Sequence, residues 1–345
     1  MTEPQTRKQS QKLTFAEGAP HLSVMLREVL AALAPEDGKR YVDGTFGAGG
    51  YSRAILGSAD CKVVAIDRDA SAVKAGREMT EATEGRLLII EGRFGEMDRL
   101  LRENGIDQVD GLVLDLGVSS MQLDQAERGF SFRQDADLDM RMEGTEDNER
   151  PSAADVINSL SEAELADIIF HLGEERRARQ VARAIVNARR NGRIERTGEL
   201  ADIVRKVVRA GGKGGKKRDE IDPATRTFQG LRIYVNDELG ELDRGLRAAE
   251  RLLAPGGRLV VVSFHSLEDR AVKRFLIERC GAAPRGSRHL PANTDDHTPA
   301  ATFELLFKGA QSPADDEIAI NTRSRSARLR AARRTAAAPW AEAAA

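Results

Sequence analysis

The residues best placed to do chemistry lie in a glycine-rich turn and in one carboxylate that follows it. The turn, from Tyr41 to Ser52, holds Asp43 and four glycines between an apolar run and a helical pattern. Glycine permits positive φ and close approach of a ligand, and the first N–H groups of the following helix point at that ligand. Asp67 ends the apolar run that starts at Lys62, where nucleotide-binding folds hold a ribose diol. This spacing predicts a nucleotide-like cofactor, with a ligand-free turn as the alternative.

Two of three possible cofactor classes fail on the residues of this turn. The dinucleotide fingerprint needs a third glycine, but Gly47-Ala48-Gly49 is followed by Gly50, Tyr51 and Ser52. A P-loop is excluded because no Gly-Lys-Ser/Thr closes the turn. The remaining form, Asp-Gly-x-x-Gly-x-Gly-Gly, resembles the first motif of S-adenosylmethionine (SAM) methyltransferases. That resemblance implies that the turn lies against the methionine part of SAM and that Asp67 holds its ribose.

Composition favours a cytoplasmic enzyme without a metal site. The 345 residues are 41% hydrophobic and carry a formal charge of −2, which suits two domains or one domain with an insertion. No apolar run approaches the roughly 20 residues of a membrane span, and the N-terminus has no signal-peptide core. Cys61 and Cys280 are far apart, and the five histidines show no ligand spacing. We therefore expect a reducing compartment, no membrane and no metal.

The first third of the chain alternates between strands and helices. Strands are predicted at four apolar runs: Arg40 to Asp43, Lys62 to Ile66, Leu87 to Glu91 and Gly111 to Leu116. Ligands of open α/β sheets bind outside the carboxyl ends of the strands. Gly49, Asp67, Phe94 and Asp115 should therefore converge on one crevice, with Phe94 stacked on an adenine. A core position is the alternative for Phe94.

The alternation stops after Asp124, where an acidic loop and a helical region begin. Helices are predicted at Ser152–Leu172, Glu174–Arg190 and Glu199–Ala210, and a glycine-lysine run follows at 211–218. Asp222-Pro223 then starts one long helix with an apolar stripe from Phe228 to Leu246, and Arg258 to Ser263 is a further strand.

These elements predict an α/β fold with a helical insert. The expected divisions are a flexible N-terminal tail (1–18), a discontinuous Rossmann-like domain (19–123 plus 222–345) and an inserted all-helical substrate-recognition domain (124–221).

Six short motifs in one order carry a specific resemblance. They are Thr45-Phe46-Gly47-Ala48-Gly49-Gly50, Leu114-Asp115-Leu116-Gly117-Val118-Ser119-Ser120, Arg128-Gly129-Phe130-Ser131-Phe132, Leu138-Asp139-Met140-Arg141-Met142, Ala224-Thr225-Arg226-Thr227-Phe228-Gln229 and Ser263-Phe264-His265-Ser266-Leu267-Glu268-Asp269-Arg270. Together they resemble the bacterial small-subunit rRNA methyltransferase H family (RsmH, also called MraW), from about His21 to Arg334. The resemblance implies a class I SAM methyltransferase with a helical insert. It also implies methylation of the exocyclic N4 of a P-site cytidine in 16S rRNA.

The same resemblance implies a set of cofactor contacts, carried over motif by motif. They are Gly49, Gly50, Tyr51, Asp67, Phe94, Asp115 and Gln122. Tyr51 stands where the family usually has His, and the implied contact there is through the main chain. Met121 replaces the proline that often precedes the glutamine.

The chemistry of the reaction suggests two catalytic residues. The N4 lone pair of cytosine is delocalised into the ring, so positioning and an acceptor for an N4 proton should help most. Asp115 is the first choice for that acceptor, and the backbone carbonyls of 116–118 are the alternative. His265 could stack on or hydrogen-bond the target base, or it could be a structural histidine.

Two basic clusters, at 205–218 and 323–334, are candidates for rRNA phosphate contacts. The residues assigned to RNA are Lys213, Lys216, Lys217, Arg218, Arg226, Arg325 and Arg328. A solvated charged face is the alternative for either cluster alone. The expected partner is 16S rRNA in the small ribosomal subunit, and a homodimer is possible.

Two rival functions remain open at this point. One is a SAM enzyme that acts on a small molecule or a protein and uses the insert as a lid. The other is a non-catalytic RNA-binding module with a relic cofactor fold.

Overall fold

A single mixed sheet organises the chain in the computed structural model, which describes residues 23–144, 150–209, 222–281 and 299–341. Its seven strands are β1 (Arg40–Asp43), β2 (Lys62–Asp67), β3 (Leu87–Glu91), β4 (Val109–Asp115), β5 (Leu253–Ser263), β6 (Phe303–Leu305) and β7 (Arg328–Arg334). They are ordered β3-β2-β1-β4-β5-β7-β6. The first five are parallel, whereas β7 runs antiparallel to both β5 and β6. The strand order reverses between β1 and β4, which is where such sheets bind ligands.

Thirteen α-helices accompany the sheet in the described part of the chain. They are α1 (Leu26–Leu33), α2 (Gly50–Ser58), α3 (Ala70–Ala82), α4 (Met97–Glu103), α5 (Ser120–Asp124), α6 (Ala153–Ser159), α7 (Glu162–His171), α8 (Ala178–Ala188), α9 (Thr197–Arg209), α10 (Thr225–Asn236), α11 (Glu238–Leu252), α12 (Ser266–Arg279) and α13 (Asp315–Ile320). Among the described residues, none of these helices is long and apolar enough to cross a bilayer.

The two faces of the sheet have separate cores, because successive side chains of a strand point to opposite faces. In β2, Val63 and Ala65 pack with α1, α2 and α3. Val64 and Ile66 pack with α4, α11 and α12. The four predicted strands of the first third are therefore confirmed, and each carries apolar residues to both faces.

The helical region has a core of its own, and that core continues beyond the predicted boundary at 221. Residues of α6 to α9 pack together with Ala224, Phe228, Leu231 and Val235. The last three lie on α10, which the sequence analysis assigned to the Rossmann-like domain. We propose that the insert ends at Asp237, where α10 and α11 meet. The predicted tail (1–18) lies outside the described residues.

The long helix predicted after Asp222-Pro223 is wrong in two respects. The helix begins at Thr225 rather than at Pro223, and Asp222 accepts a hydrogen bond from the Ala224 N–H at 2.9 Å in the turn that precedes it. It also breaks at Asp237, whose φ is 50°. The preceding Asn236 donates to the Met140 carbonyl at 2.7 Å and accepts from the Met142 N–H at 2.9 Å, which anchors the break to the insert.

The helix predicted over 152–172 is also two helices. Ser152 and Ser161 each form a capping box, with Asp155 and Glu164 respectively. The second capping box, at Ser161, begins a new helix, and the chain between the two helices adopts an extended conformation at Leu160.

The C-terminal arginine cluster is largely a strand rather than a basic surface. Arg330 pairs with Asp269 at 2.7 Å, and Arg333 pairs with Glu304 at 2.8 Å. Arg334 is buried and donates to the Glu250 carbonyl at 2.9 Å. These side chains hold β7 between its neighbours, so their charges are already partnered.

Candidate active site

A cavity of about 440 Å³ opens at the carboxyl ends of β1, β2 and β4. It collects most of the residues that the sequence assigned to a cofactor: Gly50, Tyr51, Asp67, Phe94, Asp115 and Gln122. These residues span more than seventy positions of the chain and meet because parallel strands end at one edge of the sheet. Gly49 lies next to the lining, at the start of α2.

The glycine turn is shaped by close contacts that a side chain would disturb. Gly49 has a φ of 73°, and a Cβ there would come within 2.7 Å of the Phe46 ring. A Cβ on Gly50 would collide with the Ser23 hydroxyl. Asp43 lies beneath the turn and accepts hydrogen bonds from Ser52 Oγ at 2.7 Å and Thr45 N at 3.3 Å. Burial raises the pKa of Asp43 to about 6.

Asp67 ends β2 and faces the cavity with both carboxylate oxygens anchored. Oδ2 accepts from the Gly47 N–H at 2.7 Å, and Oδ1 accepts from the Asp69 N–H at 2.9 Å. Burial raises the pKa of Asp67 to about 6 despite these bonds. Each oxygen keeps a lone pair for a further donor, which is the arrangement that binding a ribose diol requires.

Gln122 lines the cavity, but its amide is committed to protein partners. Its Oε1 accepts from the Ser119 N–H at 3.0 Å and completes a capping box for α5. Its Nε2 donates to Asp69 Oδ2 at 2.9 Å. Arg128 of the insert donates to the same Asp69 oxygen at 2.9 Å and to the Met142 carbonyl at 2.7 Å. Gln122 therefore holds the loop after β4 against the loop after β2.

A second ion-pair network joins the insert to the cavity wall. Arg68 donates to both oxygens of Glu143, at 2.9 and 3.0 Å, and to Glu241 Oε2 at 3.1 Å. Arg93 also pairs with Glu143. The three elements that meet here are the end of β2, the 140–144 segment and α11, so the insert is fixed beside the cofactor cavity.

Asp115, at the end of β4, is the most unusual polar group of the cavity. Its Oδ1 atom is buried and has no hydrogen-bond partner among the described residues. Burial, together with the charges of Asp43 and Glu268, raises its pKa well above the ordinary value. An acceptor left unsatisfied in this way is costly, and functional sites are where such groups concentrate.

A cluster of four charged or titratable residues continues the cavity wall beyond Asp115. Arg232 pairs side-on with Glu238, with Nε 2.8 Å from Oε1 and Nη2 2.9 Å from Oε2. Glu268 is 2% exposed and accepts from the Phe264 N–H at 2.8 Å. Burial opposes its charge, but His265 and Arg232 lower its pKa below the usual range.

His265 contacts Glu268 of this cluster but is not among the residues that line the cavity. Its Nδ1 accepts from the Glu268 N–H at 3.4 Å and caps α12. Its Nε2 lies 3.0 Å from Glu268 Oε1 without the alignment of a hydrogen bond. The ligand atoms of Glu238, His265 and Glu268 lie within 4.8 Å of one another, but Arg232 occupies both Glu238 oxygens and its charge disfavours a cation.

The family assignment follows from comparison with known proteins. The MraW methylase family matches residues 18–335. The chain belongs to this family. The ribosomal RNA small subunit methyltransferase H of Paramagnetospirillum magneticum is 62% identical over 321 residues, covering 93% of this chain and 98% of that protein. The protein of the same name from Parvibaculum lavamentivorans is 60% identical over 92% of this chain and 91% of its own length. The one from Methylobacterium sp. (strain 4-46) is 58% identical over 92% of this chain and 92% of its own length. The fold of this MraW family member is the mixed α/β arrangement described above, with helices packed on a seven-stranded sheet.

The remaining predicted cofactor residues of this MraW family member, Phe94 and Tyr51, form parts of the cavity wall, and their packing matters more than their polar groups. Phe94 lies against α11, where a Cβ on Gly245 would come within 2.5 Å of its ring. The Tyr51 hydroxyl donates to the Val24 carbonyl. Burial raises the pKa of Tyr51 well above its ordinary value, so its side chain is neutral and ties the N-terminal segment over the turn.

Of the predicted RNA contacts, the three in the described part of the chain are not among the residues that line the cavity. Arg226 is exposed and donates to the Glu174 carbonyl at 3.3 Å. Arg325 and Arg328 are exposed as well. Lys213, Lys216, Lys217 and Arg218 lie outside the described residues. All seven assignments stay predictions.

Sequence reasoning missed Asp69, Arg128, Arg232, Glu238 and Glu268 as parts of the site. Ser119-Ser120-Met121-Gln122 does carry the Ser-x-x-Gln signature of a capping box, which would have predicted the local role of Gln122. Asp69 and Arg128 are separated by 59 positions. Arg232 and Glu238 lie only six positions apart but on different helices, and Glu268 lies on a third helix.

Proposed function

We propose that this protein is a SAM-dependent methyltransferase that methylates the exocyclic N4 of a P-site cytidine in 16S rRNA of the small ribosomal subunit. The match to relatives named ribosomal RNA small subunit methyltransferase H, at up to 62% identity over almost the whole chain, carries the proposal. The cavity supports the proposal, since the Asp67 carboxylate and the buried, unpartnered Oδ1 of Asp115 line one space.

The fit to SAM rests on residues of this chain. Asp67 accepts hydrogen bonds from the two ribose hydroxyls. The glycine turn at 47–50 presents its backbone to the methionine part of SAM, and Phe94 packs on the adenine. SAM supplies an electrophilic methyl group on a sulfonium. Asp43 stays behind the turn as a structural carboxylate, because Ser52 and Thr45 occupy its oxygens.

Asp115 is the proposed proton acceptor. A methyl carbon–sulfur bond breaks as the carbon–N4 bond forms, and N4 then sheds one proton. The Oδ1 atom of Asp115 has the free lone pair to receive a hydrogen bond from N4. Its raised pKa makes it a better proton acceptor than an exposed carboxylate once it is ionised. His265, which does not line the cavity, acts as a positioning residue for Glu268.

The insert and the exposed arginines are proposed to hold the rRNA. Arg226, Arg325 and Arg328 lie on the surface, and the basic run at 213–218 adds four further cations. Phosphate contacts of this kind are electrostatic and salt-dependent. We place the enzyme in the cytoplasm with its ribosomal substrate, and a homodimer stays a prediction.

The function can be tested by methyl transfer from labelled SAM. Small subunits from cells that lack this protein should accept label on one cytidine N4, whereas free metabolites should not. Label on metabolites alone would favour the rival small-molecule enzyme. Failure to bind SAM in a calorimetric titration would favour the non-catalytic RNA-binding module.

A further inference from the structure

The wall of the cavity beyond Asp115 offers hydrogen-bond donors in a fixed orientation. Arg232 lines the cavity, and its side chain is 17% exposed. Glu238, which is 8% exposed, takes its Nε and Nη2 atoms side-on. This pairing fixes the plane of the guanidinium and leaves the edge formed by Nη1 and Nη2 with N–H groups to donate. Among the described residues, no hydrogen bond engages Nη1.

Arg232 and Asp115 belong to one polar site. Asp115, Arg232 and Glu268 all line the same cavity. Phe264 also lines the cavity, and a Cβ on Gly117 would lie 3.9 Å from its ring. The site therefore combines an orphaned acceptor, an oriented pair of donors and an aromatic surface.

These groups complement one edge of one base. Cytosine presents a donor at N4 and acceptors at N3 and O2, whereas uracil presents an acceptor at O4 and a donor at N3. We propose that Arg232 is the residue that reads the target base, donating from Nη1 and Nη2 to N3 and O2 while Asp115 Oδ1 accepts from N4. Phe264 supports the base by stacking. This assignment rests on the proposed function and adds the residue that selects cytosine.

Glu238 has a distinct role in this arrangement. It touches Arg232 rather than the base, so it is a positioning residue that orients the guanidinium. Because it holds both Nε and Nη2, a lysine at position 232 could not reproduce the fork. We therefore expect Arg232→Lys to behave like a loss of the contact even though the charge is retained.

The test compares single-turnover methylation of small subunits by Arg232→Gln, Arg232→Lys and the double variant Arg232→Gln/Glu238→Gln. The double variant removes both charges, so it does not leave Glu238 buried without a partner. The proposal predicts a fall of roughly 10- to 100-fold in the methyl-transfer rate for all three, the range for loss of one bidentate base contact. The SAM dissociation constant and the melting temperature of the double variant should match wild type. Arg247→Gln on α11, where Arg247 pairs with exposed Asp243, is the matched control and should react normally.

Each outcome decides between the alternatives. Wild-type turnover in the double variant would overturn the proposal, as would a loss of SAM affinity equal to the loss of rate, since Arg232 would then only support the cofactor cavity. Rescue by Arg232→Lys would contradict the bidentate geometry. If wild-type enzyme itself transfers no methyl group to a cytosine N4, the proposed function fails before any variant is compared.

Discussion

Proton competition at Asp67 should make SAM binding depend on pH. In the proposed site, the ionised carboxylate accepts hydrogen bonds from the ribose hydroxyls, and a proton on the carboxylate would remove one of these acceptors. Burial raises the pKa of Asp67 to about 6, so the protein must lose that proton to bind SAM below this pH. One proton with this pKa weakens the apparent affinity about 11-fold at pH 5 and only about 1.1-fold at pH 7. We therefore predict a roughly tenfold higher dissociation constant at pH 5 than at pH 7.

Calorimetric titration at several pH values, in wild type and in Asp67→Asn, measures this effect. The variant should bind SAM roughly 10- to 150-fold more weakly at pH 7, because one charge-assisted hydrogen bond contributes about 1.5–3 kcal/mol. Its amide must also present an N–H to the Gly47 or Asp69 N–H, which adds to the loss. The matched control is Glu91→Gln, an exposed carboxylate at the end of neighbouring β3. A pH dependence that survives in Asp67→Asn would show that a group other than Asp67 binds the competing proton.

Three further predictions concern catalysis, stability and RNA binding. Asp115→Asn should lower the single-turnover methylation rate by about 10²- to 10⁴-fold, which is the usual scale of general-base catalysis. Its affinity for the small subunit, measured by filter binding, should not change. A normal rate would exclude Asp115 as the proton acceptor. Arg128→Ala leaves Asp69 buried without its cation, so urea denaturation should show a loss of about 3–5 kcal/mol in the free energy of unfolding. An unchanged denaturation midpoint would show that the ion pair is dispensable for stability. Alanine at Lys213, Lys216, Lys217 and Arg218 should flatten the log–log salt dependence of subunit binding by roughly one unit per lost phosphate contact, without changing SAM affinity. An unaltered slope would show that these four cations make no phosphate contacts.

The sequence was most informative where the fold is local and apolar. Strands β1 and β3 lie where their apolar runs predicted them. The central strand β1 is buried along most of its length, which is why a parallel strand of this kind is a nearly continuous hydrophobic segment. Asp67 and Asp115 could be placed at one edge for the same reason. The glycine turn was visible because the backbone there needs residues without a Cβ.

The parts that the sequence did not predict depend on contacts between distant segments. The apolar stripe of α10 and α11 is continuous, so nothing in it signals the break at Asp237. That break follows from the hydrogen bonds of Asn236 to Met140 and Met142. Strand β7 was hidden by its arginines, whose partners lie on β6 and α12 and in α11.

The site shows the same limit. Gln122 was assigned to SAM, yet its amide binds Ser119 and Asp69, and Asp69 is fixed by an arginine of the insert. Arg232 and Glu268 lie on different helices and meet only in the folded protein. Chemistry-bearing residues at strand ends could be found from sequence, whereas the residues that orient them could not.

Mass mapping of methylated nucleosides in 16S rRNA, from cells with and without this protein, shows whether the protein methylates a cytidine N4 in the small subunit. We expect N4-methylation of one P-site cytidine to disappear when the protein is absent and to return with the wild-type chain. It should not return with Asp115→Asn. An identical 16S methylation pattern in both strains would contradict the assignment.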